Sequence, residues 1–102
     1  MEWQMKIRRR IAEIQAIRES LCDTLIETNN YFPSKEEDLY DIEFAILVRI
    51  IQFLGNYHPY QRIRETATQV LETWKEKALR RNTSLEFLTS QDRIDTIRKD
   101  KS

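Results

Sequence analysis

His58 is the one side chain in this sequence whose ordinary chemistry exchanges a proton near neutral pH, and it lies in a turn between Tyr57 and Pro59. General acid–base or nucleophilic catalysis needs such a group beside a nucleophile or a metal. No serine, cysteine or carboxylate pattern accompanies it. Cys22 is the lone cysteine, so an internal disulfide is impossible, and Cys22 with His58 is too small a ligand set for structural zinc. Gly55 is the lone glycine, which excludes a glycine-rich phosphate loop. The carboxylates are spaced as helix-surface charges. The chain therefore reads as a protein without catalytic activity, cofactor or metal.

Recognition chemistry is better represented. Tyr57, Tyr60 and Trp74 are amphipathic aromatics of the kind that anchor interfaces, and Phe53, Arg62, Arg64 and Lys75 lie close to them in sequence. These seven residues are the candidate partner-binding set, with Trp74 also placed on an apolar helical stripe where a core role is expected. Arg8-Arg9-Arg10 is the densest basic cluster. Consecutive helical residues point some 100° apart, so this cluster reads as solvated side chains with apolar stems laid along the helix. Joined with Arg62, Arg64, Lys75, Lys77, Arg80 and Arg81, it would form a basic surface if the first and third helices lay side by side.

Composition sets the frame for these groups. With 102 residues the chain holds one core at most. Lys plus Arg and Asp plus Glu both number 17, so the net charge of zero does not direct the chain toward nucleic acid. Residues 34–57 carry two basic and five acidic side chains, and residues 58–102 carry ten and seven. The longest apolar run, Phe44 to Leu54, is interrupted by Arg49 and Gln52 and is about half the roughly 20 residues that span a bilayer. The opening residues lack the order of a secretory signal. An intracellular protein with no membrane contact is the expectation.

Helical periodicity organises the chain. From Trp3 to about Asn29 there is neither Gly nor Pro, and Trp3, Ile7, Ile11, Ile14, Ile17, Leu21 and Leu25 follow the three-and-four spacing of one face. At 1.5 Å per residue this helix would reach roughly 40 Å, longer than a compact domain of this size requires. Ser34-Lys35-Glu36-Glu37 fits a capping box that starts a second helix, ending near Leu54 with Gly55 in the left-handed position that follows a helix. Asp38, Asp41, Ala45, Arg49 and Gln52 form a thin stripe on it. The rest of its circumference is apolar and should be covered from several sides. Pro59 suits the entry to a third helix over 60–82, with Ile63, Ala67, Val70, Leu71, Trp74 and Ala78 facing inward. One or two short helical pieces follow Thr83-Ser84-Leu85-Glu86. The expectation is an all-α bundle of three long helices plus a short C-terminal helical element, a single domain over 1–98 with a flexible tail over 99–102.

Gln61-Arg62-Ile63-Arg64-Glu65-Thr66-Ala67 leading to Val70-Leu71-Glu72-Thr73-Trp74-Lys75 resembles the last core helix of the N-terminal domain of elongation factor TFIIS, a helical module shared with elongin A and a Mediator subunit. Ile46-Leu47-Val48-Arg49-Ile50-Ile51-Gln52-Phe53-Leu54 is similar to that family's earlier leucine-rich helix. The family usually places another helix between these two, with a glycine-lysine step and an arginine-lysine-histidine ending. Here only Gly55 to Tyr60 separates them. The resemblance implies a nuclear adaptor that binds short disordered motifs of transcription proteins in a groove beside Trp74. The apolar surplus of the second helix gives the functional expectation, a groove between the second and third helices, edged by Arg and Lys, that takes a short acidic-hydrophobic peptide. An obligate homodimeric or hetero-oligomeric assembly subunit explains the same surplus, and nucleic-acid binding through the basic helix faces is a minor alternative.

Overall fold

The computed structural model describes residues 2–95, with the side chains of residues 2–4, 6, 7, 10 and 14 not described. The chain is all-α: no strand occurs among the described residues. α1 spans Glu2–Thr28 and passes into a 3₁₀ turn over Asn29–Tyr31. A four-residue helix, α2 (Glu36–Leu39), precedes α3 (Ile42–Tyr57), α4 (Gln61–Arg80) and the four-residue α5 (Leu85–Leu88). Residues 91–95 are again helical.

The expected second helix is thus divided, and its start and stop signals act differently from the sequence reading. Ser34 makes no capping box, because α2 begins after Lys35 and has no side-chain cap. Tyr40 and Asp41 leave the helical conformation, and the Asp41 carboxylate accepts from the Glu43 N–H at 3.3 Å, capping α3. The break lets Leu39 turn fully into the core. Gly55 lies inside α3 with no positive φ, and the helix runs on to Tyr57. It stops because Pro59 excludes the helical region for the residue before it, and His58 is accordingly extended at φ −62° and ψ 135°.

α4 is the central element, packed against α3 on one side and α1 on the other. Its expected inward face is fully realised: Ile63, Ala67, Val70, Leu71, Trp74 and Ala78 are all buried. Gly55 meets Ala67 and Thr68 while Phe44 meets Trp74, so α3 and α4 run antiparallel. Along α1 the register ascends with α4, from Arg18 at Tyr60 to Asn29 at Trp74, so these two helices run parallel. Phe32, Phe44 and Trp74 meet at one end with ring centroids 5.3 to 6.0 Å apart, and the Trp74 Nε1–H donates to the Asn29 carbonyl at 3.3 Å.

The end of α4 is closed by a Schellman arrangement. Asn82 takes φ 59°, its N–H donates to the Leu79 carbonyl, and the Thr83 N–H donates to the Ala78 carbonyl. Asparagine tolerates this left-handed position better than most residues. Ser84 then caps α5, its Oγ accepting from the Phe87 N–H at 3.1 Å, and Leu85, Leu88 and Ile94 return to the core. Three arginines fasten this C-terminal region. Arg49 donates to the Thr89 carbonyl, Arg81 to the Pro33 carbonyl at 2.6 Å, and Arg93 to the carbonyls of Leu88 and Tyr40. Burial lowers the Arg93 pKa from its ordinary value, an effect that Tyr40 and Asp41 partly offset. The tail over 99–102 lies outside the described residues.

Candidate functional site

A ridge of apolar side chains remains on the outside of α3. Ile46, Ile50, Phe53 and Tyr57 are 47, 53, 63 and 69 % exposed, at the i, i+4, i+7, i+11 spacing of one helix face. The expectation that neighbours would cover this helix on several sides fails here. α4 takes Phe44, Val48 and Ile51, α1 makes no comparable contact with α3, and the opposite face is left to solvent. The Phe53 and Tyr57 rings meet with centroids 5.2 Å apart, tilted at 48°. A helical rise of 1.5 Å per residue makes the ridge about 16 Å long.

The ridge ends at the turn into α4, which carries much of the candidate set. His58 is held in this turn: its Nδ1 accepts from the Tyr60 N–H at 3.2 Å, and the two rings are 5.4 Å apart. The Arg64 Nη1 donates to the His58 carbonyl at 2.7 Å, so this guanidinium braces the turn. Beyond the turn, Tyr60 and Arg62 line a cleft of about 310 Å³ between the start of α4 and α1, floored by Cys22 and Ile63 and flanked by Arg18. The Arg18 guanidinium lies 4.3 Å above the Tyr60 ring.

The remaining candidates fall elsewhere. Trp74 is fully enclosed and presents no surface, even as the floor of a groove. Lys75 is on the exposed side of α4 and pairs with Glu72 at 3.4 Å. The seven residues therefore divide among the ridge (Phe53 and Tyr57), the turn and cleft (Tyr60, Arg62 and Arg64), the core (Trp74) and a separate surface (Lys75). Sequence reasoning missed Ile46 and Ile50 as ridge residues and Arg18 as a cleft residue. The first two carried a signal in their spacing from Phe53 and Tyr57; Arg18 carried none, because its role depends on the register of α1 against α4.

The basic clusters do not merge. In the parallel register, Arg9 lies nine residues before Arg18, about 14 Å beyond the start of α4, whereas Arg80 and Arg81 lie at the far end of that helix. Among the described residues no group of three or more His, Cys, Asp or Glu side chains could hold a metal ion, and no helix is long and apolar enough to cross a membrane. The chain matches no protein-family model, no curated protein and no solved structure.

Proposed function

We propose that this chain is a non-catalytic protein-interaction module whose α3 ridge receives an apolar helical segment of a partner protein. The observation that carries this reading is the alignment of Ile46, Ile50, Phe53 and Tyr57 on one exposed face. Four large apolar side chains in one row exceed the scattered exposure common on soluble surfaces, and the adjoining Phe53 and Tyr57 rings are aromatic groups of the kind enriched at interfaces. A straight ridge of three turns matches the i, i+4, i+7 contacts of helix recognition. The resemblance of α3 and α4 to the TFIIS module adds a nuclear, transcription-related adaptor role to the proposal.

A second reading, self-association, draws on α1. Every described side chain from Met5 to Ile17 is exposed, including Ile11, although the face of α1 that buries Cys22 and Leu25 continues through this overhang. The overhang would then pair with a second copy.

Site-specific photo-crosslinking from position 53, compared with position 76 on the exposed side of α4, tests the two together. Adducts to a partner from position 53 alone support the ridge reading. Equal adducts from both positions, or none, reject it. Light scattering over a concentration series decides the second: a monomer at every concentration removes it.

A further inference from the structure

We infer that the cleft between α1 and the start of α4 is a second recognition site, which holds a carboxylate of an acidic, apolar peptide between Arg18 and Arg62. The inference rests on the reading of the chain as a protein-binding module, but it concerns a different surface from the ridge.

Two cations face this cleft, and Glu19, which also lines it, is ion-paired with neither. Among the described residues neither Arg18 nor Arg62 has an ion-pair partner, and the buried Arg18 Nε has no hydrogen-bond acceptor. The contrast with the other arginines is informative. Arg49, Arg64, Arg81 and Arg93 each donate to a backbone carbonyl, whereas Arg18 and Arg62 show no such bond among the described residues. The Arg18 Nε itself is closed to solvent, so a ligand in the cleft would meet the outer nitrogens of the guanidinium, which make no hydrogen bond among the described residues. Stacking on Tyr60 at 4.3 Å presents the Arg18 guanidinium along the cleft wall, where its planar fork suits a bidentate carboxylate.

The rest of the lining narrows the class of ligand. Cys22, Ile63 and the Tyr60 ring make an apolar floor, so the ligand needs an apolar body beside its negative charge. A cleft of about 310 Å³ has room for one large side chain and a neighbouring carboxylate. Glu19 also lines it and opposes any run of negative charge, so the cleft suits a single carboxylate and not the phosphate track of a nucleic-acid strand. An acidic residue next to a leucine or phenylalanine in an extended peptide supplies both features.

The test uses fluorescence anisotropy of the full chain with two labelled peptides of equal length: a leucine-rich peptide with one central aspartate, and the same peptide with asparagine for aspartate. The wild-type chain should bind the acidic peptide at least tenfold more tightly. Arg62→Gln, at an exposed position where folding is not at stake, should remove most of that preference, and Arg18→Gln should act in the same direction. Glu76→Gln, on the exposed side of α4, should leave the preference intact. Equal affinity for the two peptides, or a preference that survives both arginine substitutions, overturns the cleft assignment. So does displacement of the acidic peptide by single-stranded RNA at lower concentration than by unlabelled peptide. Failure of the ridge crosslinks with the arginine-dependent preference retained would reject the ridge and leave the cleft standing.

Discussion

Arg49 and Thr89 are joined across 40 residues of chain by two hydrogen bonds to a single carbonyl oxygen, from Nε at 3.2 Å and Nη2 at 2.8 Å. The third contact, from Nη1 to Gln91 Oε1 at 3.1 Å, extends the grip into the helical residues 91–95. Charged donors to a carbonyl are worth about 1.5–3 kcal/mol when desolvated, and partial exposure here reduces that toward about 1 kcal/mol. Arg49→Met keeps an apolar stem and removes the grip. It should lower stability by about 1 kcal/mol in a urea titration and raise amide exchange over residues 85–95 more than in α4. Uniform acceleration throughout the chain would mean that Arg49 does not fasten this region in particular.

Trp74 should be the least replaceable side chain. It is fully buried, packs against Phe32 and Phe44, and donates to the Asn29 carbonyl. Trp74→Ala removes about 3–5 kcal/mol, a large part of the about 5–15 kcal/mol that holds a domain together, so its melting temperature should fall by at least about 12 °C. Trp74→Phe should fold with a loss of about 1–3 kcal/mol. Circular dichroism melts distinguish these outcomes, and a Trp74→Ala melting curve equal to wild type would remove the core role.

Asp41 caps α3 after the break at Tyr40. Asp41→Ala should cost about 1 kcal/mol, the ordinary value of an N-cap, while Asp41→Asn retains an acceptor and should recover most of the loss. Equal destabilisation by alanine and asparagine, read from thermal melts, would assign the effect to charge instead of to the cap.

Gly55 costs helix stability without a positive φ to justify it. An added Cβ would stand 3.2 Å from Thr68 Oγ1, tighter than ordinary contact, so Gly55→Ala alone should be close to neutral. Gly55→Ala with Thr68→Ala removes the obstructing hydroxyl and should gain about 1 kcal/mol, or about 4–8 °C in Tm. A double variant no more stable than Gly55→Ala would show that close helix packing, not the hydroxyl, selects glycine.

The all-α class, the long first helix, the inward face of α4 and the Ser84 cap were legible in the residues alone. Each follows from short-range information: Ile63, Ala67, Val70, Leu71, Trp74 and Ala78 repeat with helical periodicity, and the serine satisfies an N–H only three residues away. Tertiary structure decided the break at Tyr40–Asp41, where burial of Leu39 outweighs the propensity for one continuous helix. It also decided which side of α3 stays uncovered, since periodicity marks faces as apolar but does not say how many helices are available to cover them. The arginine contacts were equally unreadable beforehand. A guanidinium on a long, flexible stem reaches whatever carbonyl the fold brings near, and only the placement of α5, and of α1 against α4, brought Thr89 to Arg49 and left Arg18 facing a cleft.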